Sequence, residues 1–264
     1  MSLRFSTFGP HISKIDQQYV SKAMKQKSWY NKPYYFVEKF EKQFSKYCGR
    51  KFCLLTPNCT SAIHLFLHSL NLKKADEIII PESTWIATAS PAFQTKAKVI
   101  FCDVEENNFC ISLDSIKKLV TKKTKVIIAV DVYGNMPDFK NLEKYCKQKK
   151  IILLEDAAEG LGSSLNKKKA GSFGDASVFS FHRTKTITTG EGGALLLNNK
   201  KLFTRCKMLR DHGRHPSTKD LFNEEFSFKY MPSNLQASLG CSQLSKINLL
   251  LKLKRNIFLN YKYY

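Results

Sequence analysis

Residues 177–193 read Ser-Val-Phe-Ser-Phe-His-Arg-Thr-Lys-Thr-Ile-Thr-Thr-Gly-Glu-Gly-Gly, an apolar strand running into a lysine-bearing turn crowded with hydroxyls and glycines. Lys185, fixed on that turn beside backbone and hydroxyl donors, is placed to form a Schiff base with a carbonyl compound whose phosphate lies close by. Upstream, the apolar run 151–155 leads into Asp156-Ala157-Ala158-Glu159. An acid at the carboxyl end of a buried strand can hold a protonated ring nitrogen through a charge-assisted hydrogen bond. Pro57-Asn58-Cys59-Thr60-Ser61-Ala62 follows one strand-like run and opens a helical one, so its N–H groups and hydroxyls make an anion site. Trp85 follows another such run, where its flat face could stack on an aromatic ring. Each residue also has a plainer reading: an idle loop lysine, an Asp that caps the next segment, an N-cap at Thr60, a core tryptophan. Together, at four strand ends, they fit the roles that a pyridoxal phosphate site needs.

The elements that must position these residues are legible as alternating periodicities. Short apolar runs at 51–56, 77–80, 98–103, 125–130, 151–155, 176–181 and 193–197 predict strands, and 60–70, 83–95, 113–119 and 139–149 predict the helices between them. This alternation predicts an α/β fold with a mostly parallel sheet covered on both faces, and ligands then sit outside the carboxyl ends of the strands. Only a compact Lys-Thr-Gly loop separates the last two strands, which predicts one antiparallel member. Residues 1–50 read as an N-terminal helical segment, with helices at 14–26 and 35–48 around a turn at 28–33. Residues 51–238 form the expected large domain, and 239–264 the start of a second, smaller one, read as a single basic helix.

Composition bounds the rest. A chain of 264 residues with 43% apolar and 25% charged residues can bury a sizeable core and is not disordered. The formal charge of +21 is scattered as short lysine pairs and triplets with no aromatic interleaving, which favours solvated lysines over a nucleic-acid surface. Eight cysteines without CxxC pairs or zinc-ligand spacing read as buried thiols of a reducing cytoplasm, and no metal is expected. Neither a signal peptide nor a membrane-spanning apolar stretch is evident.

The stretches SFHRTKTITTGEGGALLLNN, EDAAEGLG, PESTWIATASPAF and NCTSAIHL resemble, in order and spacing, the signatures of the DegT/DnrJ/StrS family of nucleotide-sugar aminotransferases. The resemblance runs from about Ser6 to the last residue and is nearest to the perosamine-synthase-like members. It implies the pyridoxal-phosphate-dependent fold type I of aspartate aminotransferase, with a seven-stranded, mostly parallel sheet between helices. It further implies that Lys185 carries the cofactor and moves the proton, that Asp156 keeps the pyridine nitrogen protonated, and that Glu159 sits beside the ring hydroxyl. Trp85 would stack on the ring, Thr60, Ser61 and Ser180 would hold the phosphate, and His182 would line the sugar side. The implied reaction converts a nucleotide-diphosphate keto-sugar to the amino sugar, at C4, with glutamate as donor, in bacterial polysaccharide or glycan biosynthesis. Because Lys185 is present, transamination is expected rather than the dehydration performed by members that replace this lysine with histidine.

The sequence departs from the family pattern in three places. Cys59 stands where the family usually has Gly, so a Cβ is expected to intrude on the phosphate. Lys229 stands where an Asn often reaches across a homodimer interface to the neighbouring cofactor, and it is expected to act there as a point charge. Members usually continue for roughly a hundred residues, so most of the small C-terminal domain is expected to be missing. Leu244, Ile247 and Leu251 would then be partly exposed. A truncated, non-catalytic binder of the cofactor or of a sugar nucleotide is the alternative reading. A nucleic-acid-binding protein is a second, resting on charge alone.

Overall fold

The computed structural model describes residues 10–25, 27–215 and 222–262. Seven strands form one sheet: β1 (Phe52–Thr56), β2 (Glu77–Pro81), β3 (Lys98–Cys102), β4 (Thr124–Val130), β5 (Ile152–Asp156), β8 (Ala176–Ser180) and β9 (Gly193–Leu197). Their order is β1-β9-β8-β5-β4-β2-β3, and only β9 runs antiparallel to its neighbours. The expected α/β class, the mostly parallel seven-stranded sheet and the single antiparallel member are all present. A separate hairpin, β6 (Ser164–Leu165) and β7 (Lys168–Lys169), was not expected; its strands are too short to carry an alternation.

The strands are apolar nearly throughout because both faces are covered. Ile78, Ile80, Val126, Ile128, Leu154, Val178 and Leu195 point to one face, under α4 (Cys59–Ser69), α5 (Ile86–Phe93) and α8 (Lys200–Arg210). Their alternates Ile79, Ile127, Ala129 and Leu153 pack against α6 (Leu113–Leu119) and α7 (Phe139–Lys149). Leu55, Phe179, Ala194 and Leu196 meet α3 (Tyr35–Cys48) on that same side, where Phe40 and Phe44 are fully buried.

The N-terminal helices are α1 (Lys14–Met24), a single turn α2 (Lys27–Tyr30) that overlaps the expected 28–33 turn, and α3; Gln26 lies outside the described residues. The single helix expected over 239–264 is instead two, α9 (Asn234–Ser245) and α10 (Ile247–Lys262), while residues 263 and 264 lie outside the described residues. Helix α9 begins early through a reciprocal cap: Gln236 N donates to Ser233 Oγ and Ser233 N donates to Gln236 Oε1, each at 3.1 Å. The break falls at Lys246, whose ammonium turns away to Asp16, Ser13 Oγ and the His11 carbonyl.

That arrangement corrects the expected exposure of Leu244 and Ile247, while Leu251 is partly exposed as expected. Leu244, Ile247 and Leu250 are buried with Ala23, Phe36 and Phe40, since α1 and α3 cover α9. Leu251 packs on the turn after β5: a Cβ at Gly162, whose φ is +101°, would lie 2.2 Å from Leu251 Cδ2, so only glycine fits there. Among the described residues, no helix is long and apolar enough to cross a membrane.

Candidate active site

Strand alternation splits the acidic pair that ends β5. Glu155, fully buried, faces away from the site and accepts from Gly171 N (2.6 Å) and Phe173 N (2.8 Å), fixing the loop whose carbonyls bind Arg50. Burial raises its carboxyl to about 7, against those two N–H donors and Arg50. Asp156, only 3% exposed, points the other way. Its Oδ2 accepts from Thr88 Oγ1 at 2.8 Å and its Oδ1 from Ala158 N at 3.2 Å. Burial pushes the Asp156 carboxyl above the ordinary aspartate value, while Thr88, Ala158 N and the Lys185 ammonium oppose that shift.

Lys185 stands on the turn after β8, its N–H donating to the His182 carbonyl at 2.9 Å. Its Nζ lies 3.2 Å from Glu159 Oε1, and the other oxygen of Glu159 accepts from Tyr133 N at 2.9 Å. The ion pair therefore links the lysine turn to the turn after β5, directly beyond the carboxyl ends of adjacent parallel strands. Trp85 precedes the first turn of α5, three residues before the Thr88 that binds Asp156, and it is 78% exposed. At that exposure Trp85 is not the core tryptophan of the plainer reading.

The phosphate-type cradle is built by register. Ser180, Gly193 and Thr56 are paired across β8, β9 and β1, so Ser180 lies two strand spacings, roughly 10 Å, from the end of β1. There Asn58 caps α4, its side chain accepting from Ser61 N at 2.8 Å, which leaves the amides of Cys59 and Thr60 and the hydroxyls of Thr60 and Ser61 at the helix mouth. Gly193 presses on that mouth: a Cβ there would lie 2.4 Å from the Asn58 carbonyl atoms and 2.6 Å from Cys59 N. The intrusion expected from Cys59 does not occur, because its side chain turns into the protein, with Sγ 3.9 Å from Asp156 Oδ1. Burial and the Asp156 charge both raise the Cys59 thiol, which stays protonated.

Two expected substrate residues make local contacts within the chain. His182 is fixed by its own loop, with Nδ1 3.0 Å from Thr184 Oγ1 and Nε2 3.5 Å from Glu191 Oε1. Lys229 donates to Asp211 Oδ1 at 2.6 Å, a pair on the segment after α8, and it makes no contact with Lys185, Asp156 or Glu159. Thr88 was missed by sequence reading; a hydroxyl at the third position after Trp85 was its only signal.

A seven-stranded, mostly parallel sheet with a lysine turn after β8 facing an acid at the end of β5 defines the fold type I, aspartate-aminotransferase-like α/β class. Within that class, the chain belongs to the DegT/DnrJ/EryC1/StrS aminotransferase family, whose model matches residues 10–263. It is 31% identical over 250 residues to a GDP-perosamine synthase of Vibrio cholerae, covering 95% of this chain and 68% of that protein. Among solved structures it is similar to Helicobacter pylori PseC, an aminotransferase involved in the biosynthesis of pseudoaminic acid, with a TM-score of 0.83, 29% identity and coverage of 93% of this chain and 66% of the other. It is also similar to the GDP-4-keto-6-deoxy-D-mannose-3-dehydratase of E. coli with bound hydrated pyridoxal phosphate, with a TM-score of 0.83, 27% identity and coverage of 94% and 70%. The chain thus spans about two thirds of the length of these relatives.

Proposed function

We propose that the chain is a pyridoxal-phosphate-dependent aminotransferase that converts a nucleotide-diphosphate keto-sugar to the amino sugar, at C4, with glutamate as donor. The observation that carries this reading is the Lys185–Glu159 pair standing at the strand ends beside the buried Asp156 carboxylate. The donor set fits the cofactor: a buried acid that has, among the described residues, no ion-pair partner, a helix mouth for a dianion, and an exposed tryptophan at the start of α5, the helix whose Thr88 binds that acid. The likeness to the perosamine synthase and to PseC supports a sugar nucleotide as the acceptor. A cytoplasmic homodimer, in which Lys229 meets the partner's site, belongs to the same reading, as do a role in glycan biosynthesis and a division into segments 1–50, 51–238 and 239–264.

When bound, pyridoxal phosphate supplies an electrophilic carbonyl and a conjugated ring that takes up an electron pair. Asp156 would accept the ring nitrogen's N–H, in a buried setting where that bond is strong. The Cys59 and Thr60 amides, with the hydroxyls of Thr60, Ser61 and Ser180, would hold the phosphate, and Trp85 would cover the ring. Glu159 orients the Lys185 Nζ and balances its charge, so that Nζ can hold a proton or give one up within the site. His182 would border the sugar.

The test is to load the chain with pyridoxal phosphate, record its visible band, reduce with borohydride and map the modified residue by mass spectrometry. The label is expected on Lys185 and absent in Lys185→Met. Incubating the loaded chain with glutamate and GDP-4-keto-6-deoxymannose should then yield the amino sugar. Label scattered over surface lysines refutes the cofactor site, and a correct label without amino-sugar formation refutes the substrate assignment.

A further inference from the structure

Strand β1 is an edge of the seven-stranded sheet, and the outer side of its Leu55 is capped by a buried ion pair. Leu55 N donates to Glu41 Oε1 and Arg210 Nη1 donates to the Leu55 carbonyl, each at 2.9 Å, while Arg210 Nη1 also donates to Glu41 Oε1. Arg210 is only 3% exposed, and among the described residues its Nε and Nη2 have no acceptor. It lines a cleft of about 230 Å³ between the first two turns of α3 and the end of α8.

Lys207 and Arg214 line the same cleft, and Arg214 Nε is likewise buried without an acceptor among the described residues. The carboxylates in its walls are those of Glu38, Glu41 and Asp211. Glu41 is engaged by Arg210, and Asp211 by Lys229 at 2.6 Å. Among the formally charged residues, Lys207 and Arg214 therefore stand against Glu38 alone. The last carbonyls of α8 do not draw on these cations: Met208 O accepts from Asp211 N, Leu209 O from Ser227 Oγ and Arg210 O from Tyr230 N. A buried N–H without an acceptor is costly, and that cost is recovered when an anion supplies one. Two guanidinium groups and an ammonium match the oxygens of a phosphate, and Glu38 can accept from a hydroxyl or ring N–H on the same molecule. The volume is below the roughly 300–1,000 Å³ of a site that encloses a drug-sized ligand, and suits a phosphate with the group next to it.

We propose that this cleft is a binding site for the phosphate group of a phosphorylated sugar or nucleoside. It is separate from the strand-end site, since Lys185, Asp156, Glu159, Thr60 and Ser61 are absent from its walls. The test uses the full chain, loaded with pyridoxal phosphate and freed of excess cofactor, at constant ionic strength. Trace acetylation, read lysine by lysine by mass spectrometry, is compared without ligand, with inorganic phosphate, with GDP and with guanosine. GDP should protect Lys207 by about fivefold or more at saturation, with exposed Lys140 unchanged. Protection by inorganic phosphate as well supports the proposal and shows that the phosphate group alone suffices. Unchanged acetylation of Lys207 under GDP, or equal protection by guanosine, overturns it.

Arg214→Gln should raise the GDP concentration that half-protects Lys207 by about tenfold or more, and Arg214→Lys should recover part of the loss, because a point charge replaces the fork. Arg210 is left intact, since its removal would strand Glu41 and the Leu55 carbonyl. Unchanged half-protection in Arg214→Gln overturns the proposal, and the measurement on the unsubstituted chain decides it even if that variant does not fold.

Discussion

The tightest test of the site's geometry is Gly193→Ala. A Cβ at this position would meet the Asn58 carbonyl carbon and oxygen at 2.4 Å and Cys59 N at 2.6 Å, about 1 Å inside contact, and all three atoms are backbone. Gly193 cannot retreat, since β9 is paired on both sides. Overpacking against atoms that cannot change rotamer falls at the upper end of the usual range, about 3 kcal/mol. With an unfolding entropy of about 0.55 kcal/mol/K for a chain of this length, the melting temperature should fall by about 5 °C. The displaced atoms also carry the amide at the mouth of α4, so affinity for pyridoxal phosphate should weaken by about tenfold or more. Gly190→Ala is the control: its φ is +82° but nothing lies within 4 Å of a Cβ, so only the backbone cost of about 1 kcal/mol, roughly 2 °C, is expected. Calorimetric melting and a titration followed at the visible cofactor band read the two effects. Equal melting shifts in the two variants, or unchanged cofactor affinity in Gly193→Ala, would refute the packing of β9 on the helix mouth and with it the proposed phosphate cradle.

Asp156→Asn should abolish transfer by about a hundredfold or more while raising the melting temperature of the cofactor-free chain at neutral pH, because the native Asp156 pKa is raised and ionisation therefore opposes folding. Transfer assays and cofactor-free melting curves check both, and a less stable Asp156→Asn chain would count against the raised value. Asp16 behaves oppositely. Burial works to raise it, but Lys246 and the Ser13 hydrogen bonds outweigh that and hold it at about 2, so the stability it contributes is full above the unfolded value near 4 and is lost as pH falls through about 2. Asp16→Asn should therefore cost about 1–2 kcal/mol at pH 7, after allowance for solvent screening, and nothing near pH 2; a pH-independent difference would contradict this. All eight cysteines are buried, so Ellman's reagent should find almost none in the native chain and eight in guanidinium chloride; fast native reaction of Cys59 would show that its thiol does not turn inward.

What could be read from the sequence follows from the range over which each interaction acts. The apolar runs gave the strands because period and burial are local, and Lys185, Asp156 and Trp85 stood out because they follow such runs. The early start of α9 was also written locally, in the Ser233-x-x-Gln236 cap, and was overlooked. The break at Lys246 was not legible, since no glycine or proline marks it and its cause, Asp16, lies 230 residues away. The same holds for the inward turn of Cys59 toward Asp156 and for the fit of Leu251 over Gly162, each of which needs the fold before it can be seen. Lys229 was read by alignment with a pattern, and its pairing with Asp211 is a neighbour relation that no spacing announces.

The packing of α9 over α1 and α3 also fixes an order of events during synthesis. Phe36 N donates to Asn234 Oδ1 across a separation of 198 residues, and Gln243 reaches both Asp16 and the His11 carbonyl. Ala23, Phe36 and Phe40 thus have part of their cover only after the whole sheet has been translated. At cellular elongation rates that is a wait of roughly 10–40 s, during which the first helices offer an apolar face to chaperones or to other nascent chains. The yield of folded protein should accordingly respond to translation speed and chaperone supply more than its final stability would indicate.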